Sequence, residues 1–402
     1  MKGTAVRGRT LAEDEAQIDW LRQSEKNRAE NVMIVDMIRN DIGRVARVGS
    51  VSVPRLFDIE RYPTVLQMTS TVNGRSDASL PDILAAMFPC ASITGAPKVR
   101  TMEIIRELEP APRGVYTGAI GTISPGRQAQ FNVAIRTVTI DRTAQRATYN
   151  VGSGIVWDSD ASDEYAECRL KSRVLVEQRP SFDLLESLLW TPAEGYFLLD
   201  EHLDRLAASA AYFGVVVARA RVRAELQQRT VGLDGVSKVR VLVDEHGRVR
   251  SQAVSLDAGA TVEPVRVGLA AMPVDPANIW LYHKTTHRAV YDAARASRPD
   301  CDDVLLWNSA GELTEASSSN LVVRLDGELV TPPVTSGLLA GTFRRNLLEA
   351  GELVERPVRV ADLAQASELF LINSVRGWRT AVVLETDALE IAGRAGNQKP
   401  GI

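Results

Sequence analysis

The amino-acid sequence predicts an α/β (α+β) protein built of two successive folded parts, and three observations carry this. Helix-period runs alternate with short β-branched runs along nearly the whole chain. The pattern changes at Arg179-Pro180, where FDLLESLLW opens a fresh unit. With 402 residues, 45% of them hydrophobic and 24% charged, the chain is long enough for more than one core. One boundary is placed near residue 178, giving parts 1–178 and 179–386. The Gly-, Asn- and Pro-containing residues 387–402 are expected to form a loose tail.

In the first part, residues 12–29 are polar with helical spacing, and ENVMIVDMIRNDIGRV continues that helix with an apolar face at Val32, Val35, Met37 and Ile38. Val51–Val53 and Thr64–Val72 read as strands. Leu80–Phe88 reads as a helix, and Lys98–Leu108 as another, started by the Thr94-Gly95-Ala96-Pro97 turn. Strand-like alternation returns in GVYTGAIGTIS, AQFNVAIRTVTI and RATYNVGSGIVW, before a helix from Ala161 to about Glu177. In the second part, helices are expected at His202–Phe213, Ala220–Arg229 and Thr286–Arg295, and from near Thr342. Strands are expected at Lys238–Val243, Val265–Ala270, Val304–Trp307 and Leu321–Arg324, with a last apolar run at Leu369–Ile372.

Charge and cysteine usage narrow the function classes. Lys and Arg number 47 against 51 Asp and Glu, for a net charge of −4, and no basic block occurs. Nucleic acid and anionic membrane are therefore not favoured partners. No stretch approaches the ~20 apolar residues of a membrane span, and the N-terminus lacks a signal core. Cys90, Cys168 and Cys301 stand apart, without metal-type spacing. These features point to a cytoplasmic protein.

Three features of the second part suit pyridoxal-phosphate (PLP) chemistry, which needs a lysine for the cofactor aldehyde, a partner for the pyridine nitrogen and donors for the phosphate. Lys284 lies in LYHKTTHRAVYD, Glu315 in GELTEASSSNLVV, and Gly341-Thr342 opens a helix whose N–H groups suit a phosphate. Taken singly, each has a plain alternative: a solvated lysine, a polar turn and an ordinary N-cap. Together with FDLLES, HLDRL at 202–206 and GLLAGTFR at 337–344, they resemble the class IV (fold-type IV) aminotransferases, which include branched-chain and D-amino-acid aminotransferases and aminodeoxychorismate lyase. The resemblance covers roughly residues 181–385. It implies two α/β subdomains, PLP between them, and a homodimer formed through this part. It also implies that Lys284 bonds the cofactor and acts as the base, that Glu315 holds the pyridine nitrogen, and that Arg205, Thr342 and Ser374 hold the phosphate. The machinery serves transamination and elimination alike.

The runs KGTAVRG, AENVMIVDMIRNDIGRVARVGSV, ASITGAPKVRTMEIIRELEP, GVYTGAIG, FNVAIRT and VGSGIVWDSDASDEYAE, in this order, resemble the C-terminal part of the chorismate-binding enzymes. That resemblance implies a magnesium site at Glu30, Glu164 and Glu167, carboxylates of the type Mg²⁺ requires. It implies substrate contacts from Arg136, from the Gly152-Ser153-Gly154 backbone, and from Tyr116, Thr94 and Lys98. Lys2 stands where aminodeoxychorismate synthases of this family carry a nucleophilic lysine and anthranilate synthases a small residue, so it points to 4-amination. Gln67 stands where many relatives have a histidine. The chain begins at the KGT motif, whereas relatives have a long segment before it. The remaining strands are thus expected to expose edges and apolar faces unless another chain covers them. This half is accordingly expected to be inactive alone, half of a split enzyme, or the product of a misplaced start codon.

The joint expectation is a truncated chorismate-binding α/β sandwich followed by a two-subdomain PLP enzyme. It would make 4-aminobenzoate, a folate precursor, from chorismate by way of 4-amino-4-deoxychorismate, with ammonia from a separate glutamine amidotransferase. Two alternatives stand beside it. One is a class IV aminotransferase for branched-chain or D-amino acids with a relic first half; the other is a non-catalytic subunit or scaffold for an amidotransferase.

Overall fold

The computed structural model describes residues 1–157, 159–175, 180–256, 264–384 and 387. The chain divides into two compact units, one of residues 1–8 and 15–179, the other of residues 9–14 and 180–402. No helix among the described residues is long and apolar enough to cross a membrane.

Up to residue 175 the elements are β1 (Thr4–Val6), α1 (Leu11–Gln23), α2 (Glu25–Gly43), β2 (Ser52–Arg61), β3 (Val65–Asn73), α3 (Leu80–Met87), the short α4 (Ala91–Thr94), α5 (Lys98–Leu108), β4 (Ala119–Ser124), β5 (Gln128–Val133), β6 (Val138–Asp141), β7 (Arg146–Tyr149) and α6 (Ala161–Ser172). The helix expected to run through residues 12–45 is broken at Ser24. Its hydroxyl accepts the Asn27 amide and caps α2, an alternative to continued helix that serine offers readily. The strands β1, β3 and β2 form an antiparallel sheet in that order. Ala5, Leu66 and Met68 of this sheet pack on Ile18 and Leu21 of α1. The pairs β4–β5 and β6–β7 are separate two-stranded hairpins, and β4 and β6 are exposed along their whole length. Their apolar residues face outward, with Ile123 63% and Ile140 67% exposed. Of the strand expected over 146–157, only β7 forms; a glycine-containing irregular segment follows.

From residue 180 the elements are β8 (Leu184–Thr191), β9 (Gly195–Tyr196), α7 (Leu199–Phe213), α8 (Arg219–Arg229), β10 (Ser237–Val243), β11 (Val249–Ser255), β12 (Val265–Leu269), α9 (Ala289–Ala296), β13 (Asp303–Trp307), β14 (Leu313–Ala316), β15 (Asn320–Leu325), β16 (Glu328–Thr331), α10 (Thr342–Glu349), β17 (Val354–Glu355), β18 (Glu368–Asn373) and β19 (Gly377–Val383). A four-stranded sheet, β11-β10-β8-β9, buries Leu184, Leu188, Val239 and Val241 against Leu203, Leu206, Val222 and Leu226 of α7 and α8. The strands β14, β13, β12, β19, β18 and β15 are linked in a ring, closed by the β14–β15 pairing, with β16 and β17 continuing outward from β15. Val267, Leu305, Leu313, Leu321, Val323 and Leu371 fill this barrel. Closure removes the unpaired edges that the hairpins of the first unit retain. The tail expected after residue 387 lies outside the described residues.

Candidate active sites

Lys284 enters its site from the segment between Leu281 and α9. The Leu185 amide donates to the Lys284 carbonyl at 2.9 Å and Thr285 bridges Leu184, so β8 fixes the lysine's backbone. The side chain is half-buried. Burial and then the Arg205 charge bring its pKa down to about 8, against the pull of Glu186. Its amine is therefore deprotonated far more readily than that of a surface lysine.

Glu315 lies on β14, 4% exposed. Its Oε1 accepts the Tyr291 hydroxyl at 2.7 Å and the Leu339 amide at 3.0 Å, and Oε2 faces Asn320 Nδ2 at 3.4 Å. Burial raises its pKa to about 7 even so. A buried carboxylate in this state is short of cationic charge, which a protonated pyridine nitrogen would supply.

Glu186 and His202 link Arg205 to Thr342. Glu186, on β8, accepts Arg205 Nε at 2.8 Å and Nη2 at 2.6 Å, and faces His202 Nδ1 at 2.7 Å. Burial alone would raise the Glu186 pKa, but Arg205 and His202 outweigh it and hold it at about 2. Burial lowers the His202 pKa, against the pull of Glu186, and its Nε2 lies 3.2 Å from the Thr342 hydroxyl. Arg205 Nη1 also donates to the Ala340 carbonyl at 3.0 Å, which brings the guanidinium to the start of α10. Gly341 caps that helix with no side-chain bond, and a Cβ there would fall 1.9 Å from Asn320 Oδ1, so only glycine fits. Ser374 is buried in the turn between β18 and β19. These residues fit PLP in chemistry: an amine, a buried carboxylate, and a guanidinium beside a helix N-terminus.

In the first unit, Lys2 is held through its backbone by Met68 and Asn31. A methyl at Gly154 would lie 2.4 Å from Lys2 Nζ, so the ammonium rests on the Gly152–Gly154 segment. Burial raises the Glu30 pKa, and Lys2, Lys26, Glu164 and Glu167 all act on it. Glu164 is kept below the usual carboxylate range; burial opposes this, but hydrogen bonds from Ser159 and Ser153 prevail. Tyr116 Oη stands 3.0 Å from where a Gly152 Cβ would be, and Lys171 bridges the Gly152 carbonyl and Glu167. Lys2, Glu30, Tyr116, Gly152, Gly154, Glu164 and Glu167 thus belong to one locality. Lys98 is instead paired with buried Asp41 at 3.1 Å. Thr94 ends α4, with its hydroxyl 3.5 Å from the Cys90 carbonyl. Arg136 is exposed, in the left-handed region at φ 51°. Among the described residues no three His, Cys, Asp or Glu side chains gather closely enough to hold a metal. The carboxylates have the right chemistry for Mg²⁺ but not that closeness, so no step is routed through a metal. Gln67 donates to the Gly3 carbonyl at 2.7 Å and accepts from Thr4, so it holds the Lys2 segment in place.

Residues 1–177 match the model of the chorismate binding enzymes, and residues 183–382 that of class IV aminotransferases. The chain joins a chorismate-binding segment to a class IV aminotransferase domain. The chorismate-binding segment is 50% identical over 167 residues to aminodeoxychorismate synthase component 1 of Bacillus subtilis, spanning 41% of this chain and 35% of that one. It is 47% identical over 177 residues to an anthranilate synthase component 1 of Haloarcula marismortui, spanning 43% and 36%. The chain thus spans little more than a third of the length of these curated relatives. The aminotransferase domain superposes on a 4-amino-4-deoxychorismate lyase of Pseudomonas aeruginosa at a TM-score of 0.43, with 29% identity, covering 50% of this chain and 83% of that one.

The sequence reading did not single out Glu186, His202 or Tyr291. Glu186 carries a visible signal, a lone carboxylate inside the apolar run LLESLL, which implies a buried partner. His202 precedes Arg205 by three residues and so shares its helix face. Tyr291 has no such signal; only the fold brings it to Glu315.

Proposed function

We propose that the chain makes 4-aminobenzoate: the aminotransferase domain eliminates pyruvate from 4-amino-4-deoxychorismate, and the chorismate-binding segment takes part in making that substrate. The observation that carries this reading is the joining, in one chain, of the Lys284–Glu315–Arg205 site to a segment in which Lys2 rests on Gly154. A domain boundary near residue 178 separates the two.

PLP, when bound, supplies an electron sink that stabilises negative charge at the carbon bearing the amine. Lys284, Glu315, Arg205, Thr342 and Ser374 would hold it. The carboxylate of Glu315 would hold a proton at the pyridine nitrogen. Arg205, fixed by Glu186, and the free N–H groups of α10 would receive the phosphate. Lys284, with its pKa near 8, removes the proton from C4 of the substrate. The enolpyruvyl C–O bond then breaks, pyruvate leaves, and the ring becomes aromatic. In the chorismate-binding segment, Lys2 attacks the chorismate ring and expels the C4 hydroxyl before ammonia from a glutamine amidotransferase displaces the lysine. Tyr116 and the Gly152–Gly154 backbone, beside Lys2, would line the substrate pocket, whereas Glu30, Glu164 and Glu167 are not gathered closely enough among the described residues to hold Mg²⁺ and carry no step. The proposed setting is a cytoplasmic homodimer in folate synthesis.

The test supplies 4-amino-4-deoxychorismate to the PLP-loaded chain without any 2-oxo acid and measures 4-aminobenzoate and pyruvate. Formation of both supports the lyase. Turnover of amino acids only when a 2-oxo acid is present would replace it with an aminotransferase, the activity in the matched family's own description.

A further inference from the structure

A segment far from Lys284 in sequence is fastened to the two residues just before it. Residues 9–14 fall within the chorismate-binding match, yet they belong to the compact unit of residues 180–402. There Arg9 and Glu13 form a closed pair at the start of α1. Arg9 Nε and Nη2 donate to the Glu13 carboxylate at 3.0 and 2.6 Å, and the Arg9 amide does so at 2.7 Å. Nη1 turns away from that pair and donates to Tyr282 Oη at 2.7 Å, which in turn donates to the Pro276 carbonyl at 2.7 Å. The Arg9 carbonyl accepts His283 Nε2 at 3.0 Å, which puts a ring proton on Nε2 because a carbonyl can only accept. Nδ1 of the same ring lies 2.9 Å from Ser209 Oγ. Both Tyr282 and His283 are buried.

Lys284 is thus held from two sides. The strand β8 fastens the backbone at and after it, through the Leu185 amide on the Lys284 carbonyl and the Thr286 amide on the Asp183 carbonyl, both at 2.9 Å. Arg9 fastens the backbone before it. An Arg–Glu pair four residues apart needs no function of its own, since such pairs brace a helix turn. The bonds to Tyr282 and His283, 273 and 274 positions away, are not part of that bracing. The direction in which a lysine leaves the chain, and the rotamers open to it, follow from the local backbone. A misplacement of about 1 Å can cost on the order of 10²-fold in rate. We propose that Arg9 is a positioning residue for Lys284: braced by Glu13, it holds Tyr282 and His283 and so sets the backbone from which the Lys284 amine reaches its partner. The role rests on the reading of Lys284 as the amine that bonds PLP. It means that residues 183–382, the class IV match, lack one part of that site's support.

The experiment follows the rate at which the cofactor-free full chain captures PLP, read by the near-visible absorbance of the bound cofactor. Arg9→Met and Tyr282→Phe should each slow capture by about tenfold, the worth of one charge-assisted hydrogen bond. The double variant should be slower than either single one by less than about threefold, because both changes remove the same contact. Arg9→Lys keeps the charge and a donor for Tyr282, and should capture PLP at least about threefold faster than Arg9→Met. In pyruvate release from 4-amino-4-deoxychorismate, kcat of Arg9→Met should fall by about tenfold while KM stays within about threefold, since a positioning residue touches no substrate. Its melting temperature should not change. Capture at the parent rate in Arg9→Met, or multiplied slowing in the double variant, would overturn the role. So would a slowing that comes with a lowered melting temperature and that Arg9→Lys does not relieve. The expected capture pattern in a chain that releases no pyruvate would keep the role and remove the lyase reading. Pyruvate release by the parent and Arg9→Met alike, with capture unaltered, would do the reverse.

Discussion

The two units differ in how completely they bury their own apolar surface. The aminotransferase domain closes its strands into a ring around Leu305, Leu313, Leu321 and Leu371, each at most 1% exposed, and fixes its site residues from several elements of that frame. The chorismate-binding segment has one small core around Leu21, Leu66 and Met68, and holds two hairpins whose isoleucines face outward. The lesson concerns sites as much as stability. Glu315 is gripped by Tyr291, Leu339 and Asn320, whereas Arg136, next to the exposed hairpins, sits on the surface. Burial is what raises the Glu315 pKa and lowers that of Lys284, and it acts only where surrounding structure excludes water.

The largest expected effect separates the units by chemistry. Lys284→Ala should cut pyruvate release from supplied 4-amino-4-deoxychorismate by roughly 10²–10⁴-fold, the worth of a positioned base, and abolish the near-visible absorbance of bound PLP. Lys2→Ala should leave that step unchanged and stop amination of chorismate. If Lys2→Ala slowed pyruvate release equally, the units would not be chemically separate.

The difference in burial has its own test. Leu371→Ala, at 0% exposure, should destabilise the aminotransferase domain by about 2–5 kcal/mol in denaturant unfolding. Ile123→Ser, on an exposed strand, should stay within about 0.5 kcal/mol. A large effect at Ile123 would show that its hairpin is covered in solution.

Glu186→Gln probes how the frame supports the phosphate ligands. It removes the charge that holds half-buried Arg205, and the PLP Kd should rise by roughly tenfold, read by absorbance titration. Glu186→Asp, which keeps the charge, should recover part of the loss; an unchanged Kd in Glu186→Gln would show that Arg205 needs no such support.

The smallest effect is a pH profile. Lys284 must be neutral to bond the cofactor, and its pKa is lowered to about 8. The rate of PLP uptake by the cofactor-free chain should therefore climb as pH rises from 7 and level off above 8, by up to about tenfold in all. A profile still rising toward pH 10 would mean that the amine is solvated. The same lowered value lies below that of the unfolded chain, so folded stability should increase with pH between about 8 and 10.

Much of this protein was readable in the residues alone. The change of pattern at Arg179-Pro180, the ordered chorismate-binding runs, and the spacing of Lys284, Glu315 and Thr342 are local features, and local features survive in one dimension. So do the periodicities that gave α5, α7 and β10. The break at Ser24 was harder to see, because a serine cap competes with helix on nearly equal terms. The ring closure of β14 onto β15 and the Glu186–His202–Thr342 chain were decided only by tertiary structure. They join residues up to 156 positions apart (Glu186 to Thr342). A sequence specifies which groups are present and their local conformation, but pKa values and hydrogen-bond partners depend on which distant groups the folded core places beside them and from which water is excluded.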